Sequence, residues 1–232
     1  ALNHLDPDLV LVLGDRYEML AAATCSLVIG IPIGHIHGGE RTEALIDEAI
    51  RHSITKMAHL HFVAAETYRD RVIQMGEQPK VVHNVGSLGI DNIGQMKLLS
   101  LDEIEAHLGF HFRVRNLIVT LHPVTLDPRC QDEEIDVLLD TLSEFPEIGL
   151  IFTMSNADYK GRWISKKIEE FCRSTPNSKY YKSLGSRLFY SCLKYVDGMV
   201  GNSSSGIIEM PYFKKGVINI GERQRGRLKA NS

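Results

Sequence analysis

Short apolar runs alternate with stretches of helical character along almost the whole chain. The apolar run over residues 9–13 is followed by an Ala-rich segment over residues 17–29, and the same order then repeats. Continuous apolar runs of this length are typical of buried strands in a parallel sheet, which a helix must connect. The pattern therefore predicts an α/β fold built from doubly wound parallel sheets.

A change of composition divides the chain into two parts. Residues 100–115 are polar, and the alternation starts again with a predicted strand over residues 116–121. A chain of 232 residues with 44% hydrophobic content can bury one large core or two small ones. We therefore predict two domains, over residues 1–112 and 113–232.

The charge balance and the cysteines argue against several classes of protein. A formal net charge of -3 disfavours nucleic acid or an anionic membrane as a partner. With no apolar run approaching the roughly 20 residues of a membrane span, and no signal peptide recognised, the expected location is the cytoplasm. The four cysteines form no C-x-x-C pair, which indicates neither a zinc site nor a disulfide framework.

Polar residues follow the first two predicted strands, where parallel sheets collect their ligands. Asp15 and Arg16 come after the first strand, and Asp15 could instead cap the next helix. The second strand leads into an H-I-H-G-G-E segment. There His35 and His37, as i and i+2 residues of a strand, would face one way and could hold a metal with Asp15 and Glu40. The paired glycines favour a close approach of a ligand to the backbone instead.

Three further candidate residues lie at the start of a predicted helix or after a predicted strand. Asp47 stands at the start of a predicted helix, where the dipole favours a carboxylate and the residue could be only a cap. In the second domain, His122 and Asn156 each follow a predicted strand, and a proline holds the chain after His122.

Residues 201–209 read G-N-S-S-S-G-I-I-E, between a short apolar run and a predicted helix. Unpaired N–H groups and the dipole at a helix N-terminus would let Ser203 and Ser204 seat an anion, although an ordinary serine N-cap is the alternative. Glu209 lies further into the helix, where a sugar hydroxyl or a ribose is a more suitable partner than the anion. Arg223 opens a basic cluster after the last strand, which suits phosphate.

Two sheets that face one another across a cleft, with carboxylates in the first and an anion seat in the second, describe a nucleotide-sugar enzyme. The motifs resemble, in order and over essentially the whole chain, those of the hydrolysing UDP-N-acetylglucosamine 2-epimerases of the sialic acid branch. They are G-D-R at 14–16, H-I-H-G-G-E at 35–40, I-D-E-A-I-R-H-S-I-T-K at 46–56, L-H-P-V-T at 121–125, and residues 201–209 with 220–227.

The resemblance implies a GT-B arrangement of two Rossmann-like domains with UDP in the cleft. Asp15, Asp47 and His122 match catalytic positions. The matches to positions that hold UDP or the sugar are Arg16, Asn156, Ser203, Ser204, Glu209 and Arg223. Where several members carry Glu in H-I-E-G-G-E this chain has His37, so Glu40 or His37 itself is expected to replace the third carboxylate.

The implied reaction removes UDP and the C2 proton to form a glycal, and water then adds to release the free 2-epimer, N-acetylmannosamine. No metal or nicotinamide is expected, and no G-x-G-x-x-G follows any predicted strand. Family members are expected to extend beyond both ends of this chain, so its first domain is expected to be incomplete and the chain alone could be inactive. The complete protein is expected to be a homodimer.

Three alternatives remain open at this point. The same reaction could act on UDP-N,N'-diacetylbacillosamine, since the sequence does not identify the pocket for C4 and C6 of the sugar. A retaining glycosyltransferase of the same architecture would seat UDP in the same way but transfer the sugar to an acceptor. A catalytically incompetent fragment would bind the UDP-sugar without turnover.

Overall fold

The computed structural model describes residues 2–43, 45–124, 131–155 and 161–230. The chain forms two compact units, Ala1–Asp91 and Asn92–Ser232. This division lies earlier than the boundary after residue 112 that the composition suggested. The reason is the packing of Ile104 and Leu108, which are buried with Ile118 in a core of the second unit.

The first unit is a four-stranded parallel sheet with the order β1-β2-β3-β4. Its strands are β1 (Val10–Leu13), β2 (Ile33–Ile36), β3 (Leu60–Val63) and β4 (Val82–Asn84). Its helices are α1 (Leu2–Leu5), α2 (Tyr17–Val28), α3 (Asp47–Met57), α4 (Glu66–Gln74) and α5 (Leu88–Gln95), with a 3-10 turn over Pro79–Val81. The helix α5 runs through the point where the two units divide.

Strand β1 is less buried than its continuous apolar run predicted. Val12 is 1% exposed and packs with Ile33 and Ile54, whereas Leu11 and Leu13 are more than half exposed. Its position contributes to this exposure, because β1 is the edge strand of the described sheet. Val12 is buried and the alternate residue Val10 is half-buried, and both pack with residues of α2 and α3.

The second unit is a five-stranded parallel sheet with the order β7-β6-β5-β8-β9. Its strands are β5 (Arg115–Thr120), β6 (Ile148–Thr153), β7 (Ser178–Tyr181), β8 (Gly198–Gly201) and β9 (Gly216–Asn219). Its helices are α6 (Leu101–Leu108), α7 (Gln131–Ser143), α8 (Gly161–Ser174), α9 (Gly185–Tyr195) and α10 (Ser205–Ile208), with a 3-10 turn over Met210–Phe213.

The central strand β5 organises the second unit. Its residues alternate between two cores, so that Ile118 is buried on one face of the sheet and Val119 on the other. Strands β6 and β7 lie on one side of β5, and strands β8 and β9 lie on its other side. The strand order therefore reverses between β5 and β8, and the carboxyl ends of these strands are where an open α/β sheet binds its ligand.

Among the helices of the described chain, none combines the length and the apolar character needed to cross a lipid bilayer.

Candidate active site

The loop after β1 holds the first two predicted site residues. Gly14 has φ 81°, which lets the chain turn sharply at the carboxyl end of β1. Arg16 occupies the N-cap position of α2 and its Nε lies 3.7 Å from Oε2 of Glu18, so the alternative of Asp15 as a cap is wrong. Instead, Oδ2 of Asp15 accepts hydrogen bonds from Nε of Arg51, at 3.0 Å, and from Nη2 of the same guanidinium.

Arg51 lies at the centre of this arrangement, although the sequence analysis did not select it as a site residue. Its side chain is 1% exposed. Besides Asp15, its guanidinium donates to the Glu40 carbonyl at 2.9 Å, to Oγ1 of Thr42 at 3.0 Å and to Oε2 of Glu48 at 3.2 Å. A buried guanidinium needs such acceptors, because an unpaired buried charge is costly. Arg51 therefore joins the β1 loop, the loop after β2 and the start of α3.

Glu48 was also missed, and it is the second carboxylate of this network. Its Oε2 accepts from the backbone N–H and the hydroxyl of Thr42, and its Oε1 lies 3.1 Å from Nε2 of His52. Burial alone would raise the pKa of Glu48, but the Thr42 N–H, Arg51 and His52 together hold that pKa below its usual value. Glu48 is therefore held in its anionic form beside Arg51.

The two histidines after β2 have different environments. Nε2 of His35 donates to the Gly14 carbonyl at 2.8 Å, and Nδ1 lies 3.1 Å from Oγ1 of Thr55. The side chain is fully buried, and this burial lowers the pKa of His35 to about 4. The ring is therefore neutral, with the proton on Nε2 because a carbonyl oxygen can only accept. The hydrogen bond from His35 to the Gly14 carbonyl therefore holds the turn that precedes Asp15 in place.

His37 lies outside the strand, because β2 ends at Ile36 and His37 has φ 65°. The i, i+2 argument that placed both histidine rings on one side of a strand does not apply here. Nδ1 of His37 lies 2.9 Å from Oε1 of Glu40, whose side chain is 7% exposed. His37 and Glu40, the two candidates for the missing third carboxylate, are thus in contact with each other.

Metal binding by these histidines receives no support from the geometry. Both ring nitrogens of His35 have protein partners. Over the described ranges, no group of three or more His, Cys, Asp and Glu side chains has the spacing of a metal site.

Asp47 is the first residue of α3 and is half-buried. The helix dipole favours its charge at that place, while the N-cap position belongs to Ile46.

In the second unit, a cavity of about 400 Å³ opens at the carboxyl ends of β5 and β6 and beside the loop after β8. Two of the predicted residues, His122 and Ser203, line it. The other lining residues are Thr120, Thr153, Met154, Lys182, Ser183, Leu184, Gly185, Ser186, Phe189, Tyr190 and Ser205. A cavity at this point of the strand order, with several hydroxyl side chains in its lining, is where the topology predicts a ligand.

A larger cavity of about 670 Å³ lies between α7 and one face of the same sheet. Its walls are mostly aliphatic, and the acidic residues Glu133 and Glu134 are its charged lining residues. None of the predicted site residues lines this groove in the described chain. The smaller cavity is therefore the candidate site.

Residues 202–204, here called the serine loop, connect the end of β8 to α10, and Ser203 of this loop lines the cavity. Gly201 has φ 134°, and Oγ of Ser203 accepts from the Ser205 N–H at 3.3 Å. Ser204 occupies the N-cap position, but its hydroxyl makes no capping bond to the described backbone. The bond that Oγ of Ser203 accepts from the Ser205 N–H is of the kind that a capping serine makes, so the N-cap alternative holds for Ser203. The helix is shorter than predicted: α10 covers four residues, and a 3-10 turn containing Pro211 replaces its continuation.

Asn202, which the sequence analysis did not select, connects the segments around this loop. Its Oδ1 accepts from the His122 N–H at 2.7 Å, and its Nδ2 donates to the His122 carbonyl at 2.8 Å. Nη1 of Arg223 donates to the Asn202 carbonyl at 3.1 Å, and Nε2 of Gln224 donates to it at 2.7 Å. The structure therefore connects both His122 and Arg223 to one buried asparagine, His122 through its side-chain amide and Arg223 through its main-chain carbonyl.

The remaining predicted residues have different outcomes. Glu209 is half-buried near Tyr190, and burial together with the Glu209 carboxylate raises the pKa of Tyr190, which lines the cavity. Among the described residues of the cavity wall, Ser204, Glu209 and Arg223 do not appear. Asn156 lies outside the described residues.

The loop from β7 to α9 is a further part of the wall that the sequence analysis missed. Residues 182–186 line the cavity, and Oγ of Ser183 accepts from the Gly185 N–H at 3.3 Å. The available signal was the rule used for the other strands, since Lys182 and Ser183 directly follow β7.

Comparison with known proteins identifies the family. The sequence profile of the UDP-N-acetylglucosamine 2-epimerases matches residues 1–232. The GDP/UDP-N,N'-diacetylbacillosamine 2-epimerase (hydrolyzing) of Campylobacter jejuni is 43% identical over 100% of this chain and 61% of its own length. The polysialic acid biosynthesis protein P7 of Escherichia coli is 44% identical over 97% of this chain and 57% of its own.

A solved structure supports the fold. The UDP-GlcNAc 2-epimerase from Neisseria meningitidis, crystallised with UDP-GlcNAc bound, matches with a TM-score of 0.80 at 20% identity, over 97% of this chain and 63% of that one. The predicted α/β, GT-B-like fold with two parallel sheets is therefore confirmed. This chain spans about 60% of the length of the curated relatives named above. The match of the profile to every residue shows that the chain belongs to the UDP-N-acetylglucosamine 2-epimerase family.

Proposed function

We propose that the whole protein is a hydrolysing 2-epimerase that converts a UDP-activated 2-acetamido sugar into UDP and the free 2-epimer. The observation that carries this proposal is the cavity of about 400 Å³ at the strand reversal of the second unit, lined by His122 and Ser203. In a chain of this family, a cavity at that place with hydroxyl and aromatic side chains in its lining suits the nucleotide part of the substrate.

The second unit binds UDP in this proposal. Ser203 and Ser205 line the cavity, and their hydroxyls are proposed to hydrogen-bond the diphosphate. Arg223 is held near the same loop by its bond to the Asn202 carbonyl and adds positive charge. Phe189 and Tyr190 give the cavity an aromatic wall against which a base or a sugar can pack. Ser204, Glu209 and Asn156 remain proposed substrate-binding residues, as does Arg16 in the first unit.

The first unit supplies the acid–base chemistry. A base removes the C2 proton, the C2–H electrons form the C1–C2 double bond, and the C1–O bond breaks as its electron pair leaves with UDP. Asp15 and Asp47 are the proposed carboxylates for these steps, and the pair of His37 and Glu40 provides a further proton carrier. Water then adds to the double bond, with the proton returned to the opposite face of C2. His122 is proposed to act at the departing diphosphate.

Two substrates are candidates within this reaction. The sequence resemblance favours UDP-N-acetylglucosamine, with N-acetylmannosamine as the product, and the polysialic acid role in the name of the Escherichia coli relative agrees with that choice. The name of the Campylobacter jejuni relative favours UDP-N,N'-diacetylbacillosamine. Both sugars carry the 2-acetamido group and the C2 proton that the reaction needs, so the same site chemistry serves either one.

The decisive experiment is turnover by the whole protein in D2O, with each UDP-sugar offered separately. The proposal expects UDP, a free 2-epimer and one deuterium at C2 of the released sugar, detected by mass spectrometry. A product without deuterium at C2 would exclude the elimination and hydration scheme. Transfer of the sugar to an added acceptor, without free sugar, would identify a glycosyltransferase instead. Binding of UDP without turnover of either sugar would identify a binding protein.

A further inference from the structure

Asn202 holds His122 at two points of its main chain. The side-chain amide accepts from the N–H and donates to the carbonyl of the same residue, at 2.7 and 2.8 Å. A single hydrogen bond would leave the peptide free to swivel about it, whereas two bonds from one rigid amide fix both its place and its direction. Asn202 itself is 1% exposed, so its amide has little freedom to move.

His122 needs such support because it lies beyond the sheet. The paired part of β5 ends at Thr120, which is in register with Gly201 of β8. The Asn202 N–H still donates to the Thr120 carbonyl at 3.0 Å, and after that point the ladder of the two strands stops. The amide of Asn202 continues the connection for two more residues and carries it to His122.

Asparagine is the residue type that this contact requires. It offers one acceptor and two donor hydrogens on a short side chain, and so it can satisfy an N–H and a carbonyl together. Aspartate has no donor for the carbonyl, and serine is too short to span both groups.

We propose that Asn202 is a positioning residue that sets the imidazole of His122 against the diphosphate bound by the serine loop. This inference rests on the proposed function. Because the carbonyl of Asn202 also accepts from Arg223 and Gln224, the same residue fixes the segment after β9 relative to His122. The imidazole of His122 and the guanidinium of Arg223, which are both proposed to act at the diphosphate, are thereby fixed relative to each other.

The chain contains a matched control for this contact. Asn116, 3% exposed at the start of β5, makes the same two-point contact with the main chain of Arg113. Its Oδ1 accepts from the Arg113 N–H and its Nδ2 donates to the Arg113 carbonyl, both at 2.8 Å. Asn116 lies at the opposite end of the same strand from His122. Replacing it removes an equivalent pair of hydrogen bonds away from the cavity.

The test is a double-mutant cycle on UDP affinity, measured by calorimetry on the whole protein. Asn202→Ala should weaken UDP binding about tenfold when His122 is present, and less than twofold in a His122→Ala background, because it acts through His122. Asn116→Ala should lower the melting temperature about as much as Asn202→Ala does, and it should change UDP affinity less than twofold. If Asn202→Ala does not fold, Asn202→Ser gives the same cycle with a small neutral residue.

The outcomes separate this inference from the proposed function. Equal losses of affinity in both backgrounds, or no loss from Asn202→Ala, would overturn the positioning role while UDP binding by the unmodified protein still stood. An equal loss from Asn116→Ala would show that general destabilisation is the cause and would overturn it as well. If the unmodified protein failed to bind UDP, the proposed function would fall and this inference with it.

Discussion

The guanidinium of Arg51 and the carboxylate of Asp15 form an ion pair in which the arginine side chain is 1% exposed and the aspartate side chain 22% exposed. The pair links the turn after β1 to the helix α3, and the same guanidinium also binds Glu48 and the Glu40 carbonyl. The proposed catalytic carboxylate Asp15 is therefore part of a structural network as well. A substitution at either end changes the stability of the first unit together with its chemistry.

Replacing Arg51 by Gln should lower the free energy of unfolding by about 3 kcal/mol, since it leaves two carboxylates and a carbonyl without their buried donor. Urea denaturation of the unmodified and variant chains measures the difference. Arg41→Gln is the control, because Arg41 is half-exposed and its ion pair with Glu43 lies at the surface of the unit. That control should change stability by less than about 1 kcal/mol. Equal effects of both substitutions would contradict the central role given to Arg51.

The buried His35 predicts a pH dependence of stability. Its pKa is about 4 in the folded protein because of burial, against an ordinary value of 6.5 in the unfolded chain. Between these values the unfolded state binds a proton that the folded state does not bind, so stability is lost as the pH falls through this window. The whole difference corresponds to about 3 kcal/mol.

His35→Gln isolates this contribution, since an amide can still donate to the Gly14 carbonyl and does not titrate. The unmodified chain should lose about 2 kcal/mol more stability than the variant between pH 7 and pH 4.5, measured by urea denaturation at both pH values. Burial also lowers the pKa of the neighbouring His61, which adds to the acid sensitivity of both proteins and cancels in the comparison. Parallel loss of stability in the two proteins would show that His35 is not the titrating group.

The positions of Asp15 and His122 could be predicted because each directly follows a strand of a parallel sheet. That rule needs only the local pattern of apolar and polar residues, and the alternation of strands and helices supplies it. Arg51 and Asn202 could not be found in this way. A charged residue in an amphipathic helix is assigned to the exposed face, and an asparagine beside three serines looks like part of a polar loop.

What distinguishes Arg51 and Asn202 is the set of groups that they meet across the fold. Arg51 contacts a loop from β1, and Asn202 contacts a residue that follows β5. Such contacts depend on strand register and loop path, which a single sequence does not determine. The same limit explains His37, whose left-handed backbone conformation ended the strand one residue before the predicted histidine pair was complete.

Gly201→Ala should destabilise the second unit, because the glycine has φ 134° and a Cβ there would lie 1.9 Å from the Thr120 carbonyl oxygen. A contact that short forces β8 away from β5, at a cost of about 3 kcal/mol or more. Gly216→Ala in β9 is the matched control, since a Cβ added to that glycine would meet no atom within 4 Å. Thermal unfolding should show a loss for the first variant only. Equal melting temperatures would contradict the close packing of β8 on β5.

The 232-residue chain by itself should bind UDP weakly but saturably, because His122, Ser203 and Arg223 all belong to its second unit. Calorimetric titration measures this directly, and Ser203→Ala should weaken it about tenfold through the loss of the hydroxyl of a residue that lines the cavity. Ser143→Ala, at the end of α7 and outside the cavity, is the control. Absence of heat up to millimolar UDP from a folded chain would count against the nucleotide site.

The chain alone should turn over UDP-sugars poorly compared with the whole protein.

Asp47→Asn is the cleaner test of acid–base catalysis, because Asp15 is the direct partner of Arg51 and its replacement also disturbs that buried ion pair. Asp47 begins α3, and the change to Asn keeps its size while removing the basic oxygen. In the whole protein, kcat should fall on the order of a hundredfold or more, while UDP affinity stays within about twofold, as expected for the loss of a proton-transfer group.

Asp15→Asn should lower kcat to a similar degree and in addition reduce the free energy of unfolding. Steady-state kinetics, UDP calorimetry and urea denaturation on both variants separate these effects. An unchanged kcat for Asp47→Asn would remove Asp47 from the mechanism, and a loss of UDP affinity equal to the loss of kcat would make it a binding residue.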